Sequence, residues 1–274
     1  MTAEATSAAG PVMSYVYAVS RAGAPLDAAL TDRQGLEGTP LRTVRAGDLV
    51  ALVSSVPSAL YGTEGVKAQM EDLGRLEVLA RTHHAVVEAA YEHATVLPMR
   101  LATVYLDDER VRGMLGAREP EFADLLARLE GHVELGVKVY ADPREAVTVG
   151  DPGPATDAPA SPGRAYLQRR RAQQQKHRVT YRAAGAVAAE VPARVSDIAE
   201  AHVTHRPQQG DLAQAAGENI VNDAYLVEAA QADAFRAALT GHADGVPGVR
   251  VEITGPWAPY SFATPPAADG GEPR

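Results

Sequence analysis

Five polar residues crowd one short stretch of the chain: His83, His84, Glu88, Glu92 and His93. If the stretch is helical, His84, Glu88 and Glu92 fall at i, i+4 and i+8 and share a face. Imidazole and carboxylate at this spacing are the donor types of a zinc-class site. The same pattern also describes a solvated face opposite Val86, Val87 and Ala90. A metal site needs ligands from a second element, and none is evident in the sequence. The solvated face is therefore the reading taken, and no metal or cofactor is expected. His202 and His205 lie three apart in a presumed strand, so their side chains point to opposite faces and do not readily share one ion. Glycine-rich phosphate loops, nucleophile elbows and paired catalytic carboxylates in a recognisable frame are absent from the sequence.

Two other groups carry recognition chemistry. Arg164, Arg169, Arg170, Arg171, Lys176, Arg178 and Arg182 follow one another with no acid before Glu190. With Tyr166 and Tyr181 nearby this has the composition of a nucleic-acid stripe, but the net charge of −9 argues against it. A solvated or domain-facing helix is preferred, and a partner-docking face centred on Arg169, Arg170 and Arg171 stands between the two. The second group is the run Gly255-Pro256-Trp257-Ala258-Pro259-Tyr260-Ser261-Phe262, with the only tryptophan and one of three phenylalanines. Its prolines remove donors and fix φ, so it is expected to be a stiff, irregular, extended clip. One reading has Trp257, Tyr260 and Phe262 packed on the C-terminal domain, with Trp257 largely buried. The other exposes them as a hot spot for a partner. The clip is the reading preferred.

The elements that position these groups follow from periodicity. Residues 13–19 are rich in β-formers and predict a strand; 41–45 and 49–53 predict a hairpin turning at 46–48. Residues 65–94 carry apolar side chains at three- and four-residue spacings and predict one long amphipathic helix. Pro98 makes the stretch 95–105 an edge or bulged strand. Residues 107–131 read as a helix interrupted near Pro120, and 133–140 alternate as a strand with one buried face. A second long helix is expected from about 165 to 191, strands at 201–205, 217–227 and 248–254, and a helix at 231–239. Residues 1–12 look like a disordered start. Residues 142–163, rich in Pro and Gly, have no large apolar residue after Val149 and read as a flexible linker. The expected organisation is thus an N-terminal domain at 13–141, a C-terminal domain at 164–255 and a tail at 256–274. The element order predicts an α+β fold with mostly antiparallel sheets and long helices.

Composition narrows the class. Apolar residues make 46% and charged residues 22% of the 274, ordinary values for a soluble globular chain. There are no cysteines, which excludes disulfides and thiolate chemistry and fits a cytoplasmic protein. No run approaches the roughly 20 apolar residues that span a bilayer, so no membrane partner is expected.

The C-terminal run resembles the signature that ends the gas vesicle GvpL/GvpF family, which reads GPWPPYSF, with Ala258 here in place of a proline. Residues 15–19, 96–104, 134–139, 163–167 with the arginines 169–171, and 222–227 resemble further stretches of the same pattern in the same order. The resemblance implies two α+β domains with ferredoxin-like features and a tail. It implies a structural or assembly protein of the gas vesicle that contacts the small hydrophobic shell protein GvpA and other gas vesicle accessory proteins, without enzymatic activity or cofactor. The competing classes are a nucleic-acid-binding module using residues 164–182 and an α+β enzyme of unknown class using the histidine cluster.

Overall fold

The computed structural model describes residues 10–23, 25, 26, 30, 33–146, 162–207 and 217–264. These residues cluster into two compact units. One runs up to His132 and is joined by residues 257–264; the other lies within Val133–Pro256.

The first unit is built on β1 (Val12–Arg21), β2 (Leu41–Ala46), β3 (Leu49–Pro57), β4 (Val96–Pro98) and β5 (Val104–Tyr105). Their order is β2-β3-β1-β4, with β5 also pairing β1, and every ladder is antiparallel. β1 is buried on both faces, because Tyr15 through Val19 are all inaccessible. The β2–β3 hairpin turns through Gly47 and Asp48, with Ala46 opposite Leu49. Gly47 has φ +56, a left-handed conformation that glycine adopts without steric cost. Pro98 ends the edge strand β4, as its missing donor requires.

A short helix α1 (Ser58–Tyr61) follows β3, and the expected single helix over 65–94 is two pieces, α2 (Thr63–Glu71) and α3 (Leu73–Tyr91). The break has a local cause. Asp72 is extended, and its Oδ1 accepts from the N–H groups of Gly74 at 3.0 Å and Arg75 at 3.1 Å. That is an N-cap satisfying two orphan donors of α3. Further on, α4 (Asp108–Ala117) and α5 (Glu119–Leu129) are parted at Arg118, with Pro120 in the first turn of α5. The Arg42 guanidinium holds the Asp108 carboxylate at 2.7 and 3.2 Å, and the Ser14 hydroxyl donates to it at 2.6 Å. The bond from Arg42 keeps Asp108 below the usual carboxylate range.

The second unit has β6 (His132–Ala141), α6 (Pro162–Arg194), β7 (Ala199–His205), β8 (Glu218–Glu228), α7 (Ala232–Leu239) and β9 (Val249–Trp257). Its strand order is β7-β8-β6-β9. The expected boundary at 142–163 assigns β6 to the first domain; its ladder neighbours β8 and β9 place it in the second unit. Residues 1–9, 147–161 and 265–274, which carry most of the expected disordered start, linker and tail, lie outside the described residues. Strand β9 continues through Pro256 to Trp257, farther than a tail beginning at 256 allows. The fold class is α+β with two antiparallel sheets.

Candidate partner-docking site

The histidine-bearing helix and the aromatic tail meet in the first unit. Helix α3 turns Leu79, His83, Val86, Val87 and Ala90 inward. The spacing is the i, i+4, i+7, i+8, i+11 stripe of an amphipathic helix. His83 is 3% exposed and its Nδ1 hydrogen-bonds the Tyr15 hydroxyl at 2.9 Å. That hydroxyl also accepts the Ala102 N–H at 3.0 Å. The rings of Tyr15 and Tyr17 lie 4.8 Å apart, and His83 lies 5.7 Å from each. Tyr17 in turn hydrogen-bonds Ser54 Oγ and accepts the Leu36 N–H, each at 2.8 Å. Gly35 is required beside it, because a Cβ there would meet the Tyr17 hydroxyl at 2.5 Å. Burial pushes the His83 imidazole down to about 4, since desolvation disfavours the cation. His83 is therefore a neutral core residue at pH 7.

His84 and Glu88 lie on the adjacent flank, and they hold the tail. The Ala258 N–H donates to Glu88 Oε1 at 3.0 Å. His84 Nδ1 lies 3.4 Å from the Tyr260 hydroxyl, and its ring meets the Trp257 ring edge-on at a centroid distance of 5.4 Å. The chain then closes on itself: Tyr260 N–H donates to the Ala258 carbonyl at 2.8 Å, opening a 3-10 turn over Tyr260–Phe262. Ala258 is fully buried and Phe262 is 3% exposed, while Trp257 remains 40% exposed.

This corrects two expectations. The clip forms, but it closes on the first unit instead of the C-terminal domain, and its tryptophan is half out. The polar face of α3 is not simply solvated, because Glu88 and His84 are occupied with the tail; Glu92 and His93 are exposed beyond them. No local sequence signal reports this pairing, since Glu88 and Ala258 are 170 positions apart.

The other candidates lie elsewhere. Arg169, Arg170 and Arg171 are exposed on α6. His202 Nε2 pairs with Asp223 Oδ2 at 3.0 Å and stacks on Tyr225 at 4.7 Å, within the β7–β8 ladder.

The sequence model described as gas vesicle synthesis protein GvpL/GvpF matches residues 13–264. The chain belongs to the GvpL/GvpF family. It is 42% identical over 252 residues to gas vesicle protein L of Streptomyces sp. (strain CB03234), covering 92% of each chain. It is 29% identical to gas vesicle protein F of the same strain, over 91% of this chain and 98% of that one. The crystal structure of GvpF from Anabaena sp. PCC7120 superposes with a TM-score of 0.63 at 17% identity, over 95% of this chain and 100% of that one. GvpF from Microcystis aeruginosa gives 0.61 at 17% identity, over 92% and 99%. The α+β fold read from the sequence is the GvpF fold. Among the described residues of this GvpL/GvpF chain, no helix is long and apolar enough to cross a membrane.

Proposed function

We propose that this chain assists gas vesicle formation by binding the small apolar shell protein GvpA through the tail-bearing flank of α3. The protein acts in the cytoplasm at the growing vesicle and works by contact, not by catalysis. The observation that supports this reading is the posture of Trp257. Buried Ala258 and Phe262 anchor the clip, and the Glu88 bond fixes its backbone. Trp257 is thereby held with 40% of its surface in water. A preorganised, half-exposed tryptophan loses little entropy on binding and is the residue type most enriched at binding hot spots. Leu73, Glu77, Ala80 and His84 follow one helical flank, and Leu73 is 80% exposed, so a second exposed apolar side chain stands on the same side of α3. An apolar shell subunit needs such a surface until it joins the shell, because exposed apolar area in water drives aggregation.

The test is binding of purified shell protein to the full chain and to Trp257→Ala and Leu73→Ser variants. Each variant is expected to weaken binding at least about tenfold, an effect of roughly 1.4 kcal/mol, while its circular dichroism spectrum stays that of the parent. Unchanged binding by both variants would remove this face from the interaction.

A further inference from the structure

Helix α6 has two unlike halves. Thr180, Ala184, Val187 and Val191, at i, i+4, i+7 and i+11, are buried. From Tyr166 to Gln175 every side chain is exposed, with Tyr166 at 62% and Leu167 at 52%. This outer half carries Arg169, Arg170 and Arg171, Lys176 and Arg178 follow it, and the helix has no acid before Glu190. It therefore lacks the i,i+4 ion pairs that support a solvated helix. An unpacked stretch of about 15 helical residues is marginal in water, so packing against a partner surface would stabilise it. The rest of the chain has the opposite sign. Leaving out the seven cations of residues 164–182 leaves 19 of 26 against 35 acids, a balance of −16.

The first unit offers a matching surface. A cleft of about 620 Å³ opens among Glu37, Gln69, Asp72, Arg75 and Val78, with Tyr61 lining it. The Tyr61 hydroxyl donates to Glu37 Oε1 at 3.0 Å. Glu37 has φ 55, a left-handed conformation unusual for a non-glycine residue, and the bond to Tyr61 restrains its carboxylate. Val78 is 64% exposed at this surface, and between the lining residues Gln69 and Asp72 the chain carries Met70, 37% exposed, and Glu71, the exposed last residue of α2. The cleft lies on the side of α3 away from the tail: its α3 residues Arg75, Val78, Leu79 and Thr82 are offset around the helix from His84 and Glu88.

We propose that the outer half of α6 in one copy docks in this cleft of a second copy, its arginines against Glu37 and Glu71 and its Tyr166 and Leu167 covering Met70 and Val78. Donor and acceptor surfaces differ, so the contact is head-to-tail and leaves one of each free at the ends of a short chain of subunits. It uses neither Trp257 nor the clip, and stands apart from the shell-binding reading.

Sedimentation velocity of the full chain tests it. Species larger than a dimer are expected at low salt, dissociating near 1 M salt where the Debye length is about 3 Å. Arg169→Glu/Arg170→Glu/Arg171→Glu and Glu37→Lys/Glu71→Lys are each expected to be monomeric alone and to reassociate when mixed, because the mixture restores both opposite-charge pairings. Circular dichroism confirms that each is folded. A wild-type chain that stays monomeric at low salt would overturn the proposal, as would arginine variants that associate like wild type. A mixture that remains monomeric, or RNA or DNA binding at physiological salt lost with the three arginines and without self-association, would also overturn it.

Discussion

In the first unit the long helix follows the β2–β3 hairpin; in the second the long helix precedes the β7–β8 hairpin. Numbered within each unit, both sheets nonetheless run 2-3-1-4. That is the order of two interlocked β-α-β units. The same topology is thus filled in opposite ways. Helix α3 is 19 residues long and buries Leu79, His83, Val86, Val87, Ala89 and Ala90 nearly to its end. Helix α6 is 33 residues long, and its buried positions begin only at Thr180. The partner crossover in the second unit is brief, with Ala232, Phe235 and Leu239 of α7 covering the sheet. A four-stranded sheet supports only a few turns of helix, so the length of α6 before Thr180 is surplus to the core. Strand order is set by the sheet; where the surplus goes decides which half has surface to spend on partners.

The largest expected effect separates anchor from exposed ring within the clip. Phe262→Ala removes a buried phenyl and is expected to destabilise the first unit by about 3–5 kcal/mol. Trp257→Ala, at a site 40% exposed, is expected to cost under about 2 kcal/mol. Denaturant unfolding followed by circular dichroism checks both. Equal costs would mean that the clip has no division into anchor and presented ring.

A second expectation sharpens the contrast between the filled helix and the free one through pH. The His83 imidazole titrates near 4 when folded and near 6.5 when unfolded. Between these values the unfolded chain binds the proton that the folded chain refuses, so stability falls as pH drops from 6.5 toward 4. From pH 7 to pH 5 the loss is expected to be about 2 kcal/mol. His83→Gln should abolish that part of the slope, whatever its cost at pH 7. A variant with the parent's pH dependence would move the effect to another group.

The smallest energies lie in α6. Amides of residues 166–175 are expected to exchange within about tenfold of free-peptide rates in the monomer at high salt, and those of 182–192 far more slowly. Uniform protection along α6 under those conditions would erase the distinction between its halves.

Much of this frame is legible in the sequence, because strands and hairpins announce themselves locally. Tyr15-Val16-Tyr17-Ala18-Val19, the Gly47-Asp48 turn and the alternation of 133–140 all depend on neighbours a few residues away. The break at Asp72 was also written locally, as an N-cap before Gly74, but the apolar spacing on either side masks it. The assignment of β6 and the docking of the tail were not legible. Each depends on partners far along the chain, and a strand's own pattern reports that one face is buried without naming what buries it. For the same reason His83 and His84, adjacent in sequence, gave no sign that one is a core residue and the other a contact for Tyr260.

The bond between Glu88 and Ala258 also sets a calendar. A chain emerging from the ribosome can pair β1 with β3 and seat α3 early, but the flank over His84 waits for residues 170 positions later. During that interval Glu88 and His84 lack the tail residues they hold, on a nascent, incomplete unit. The first half to be made is therefore the last to be finished, and the whole second unit is synthesised while it waits.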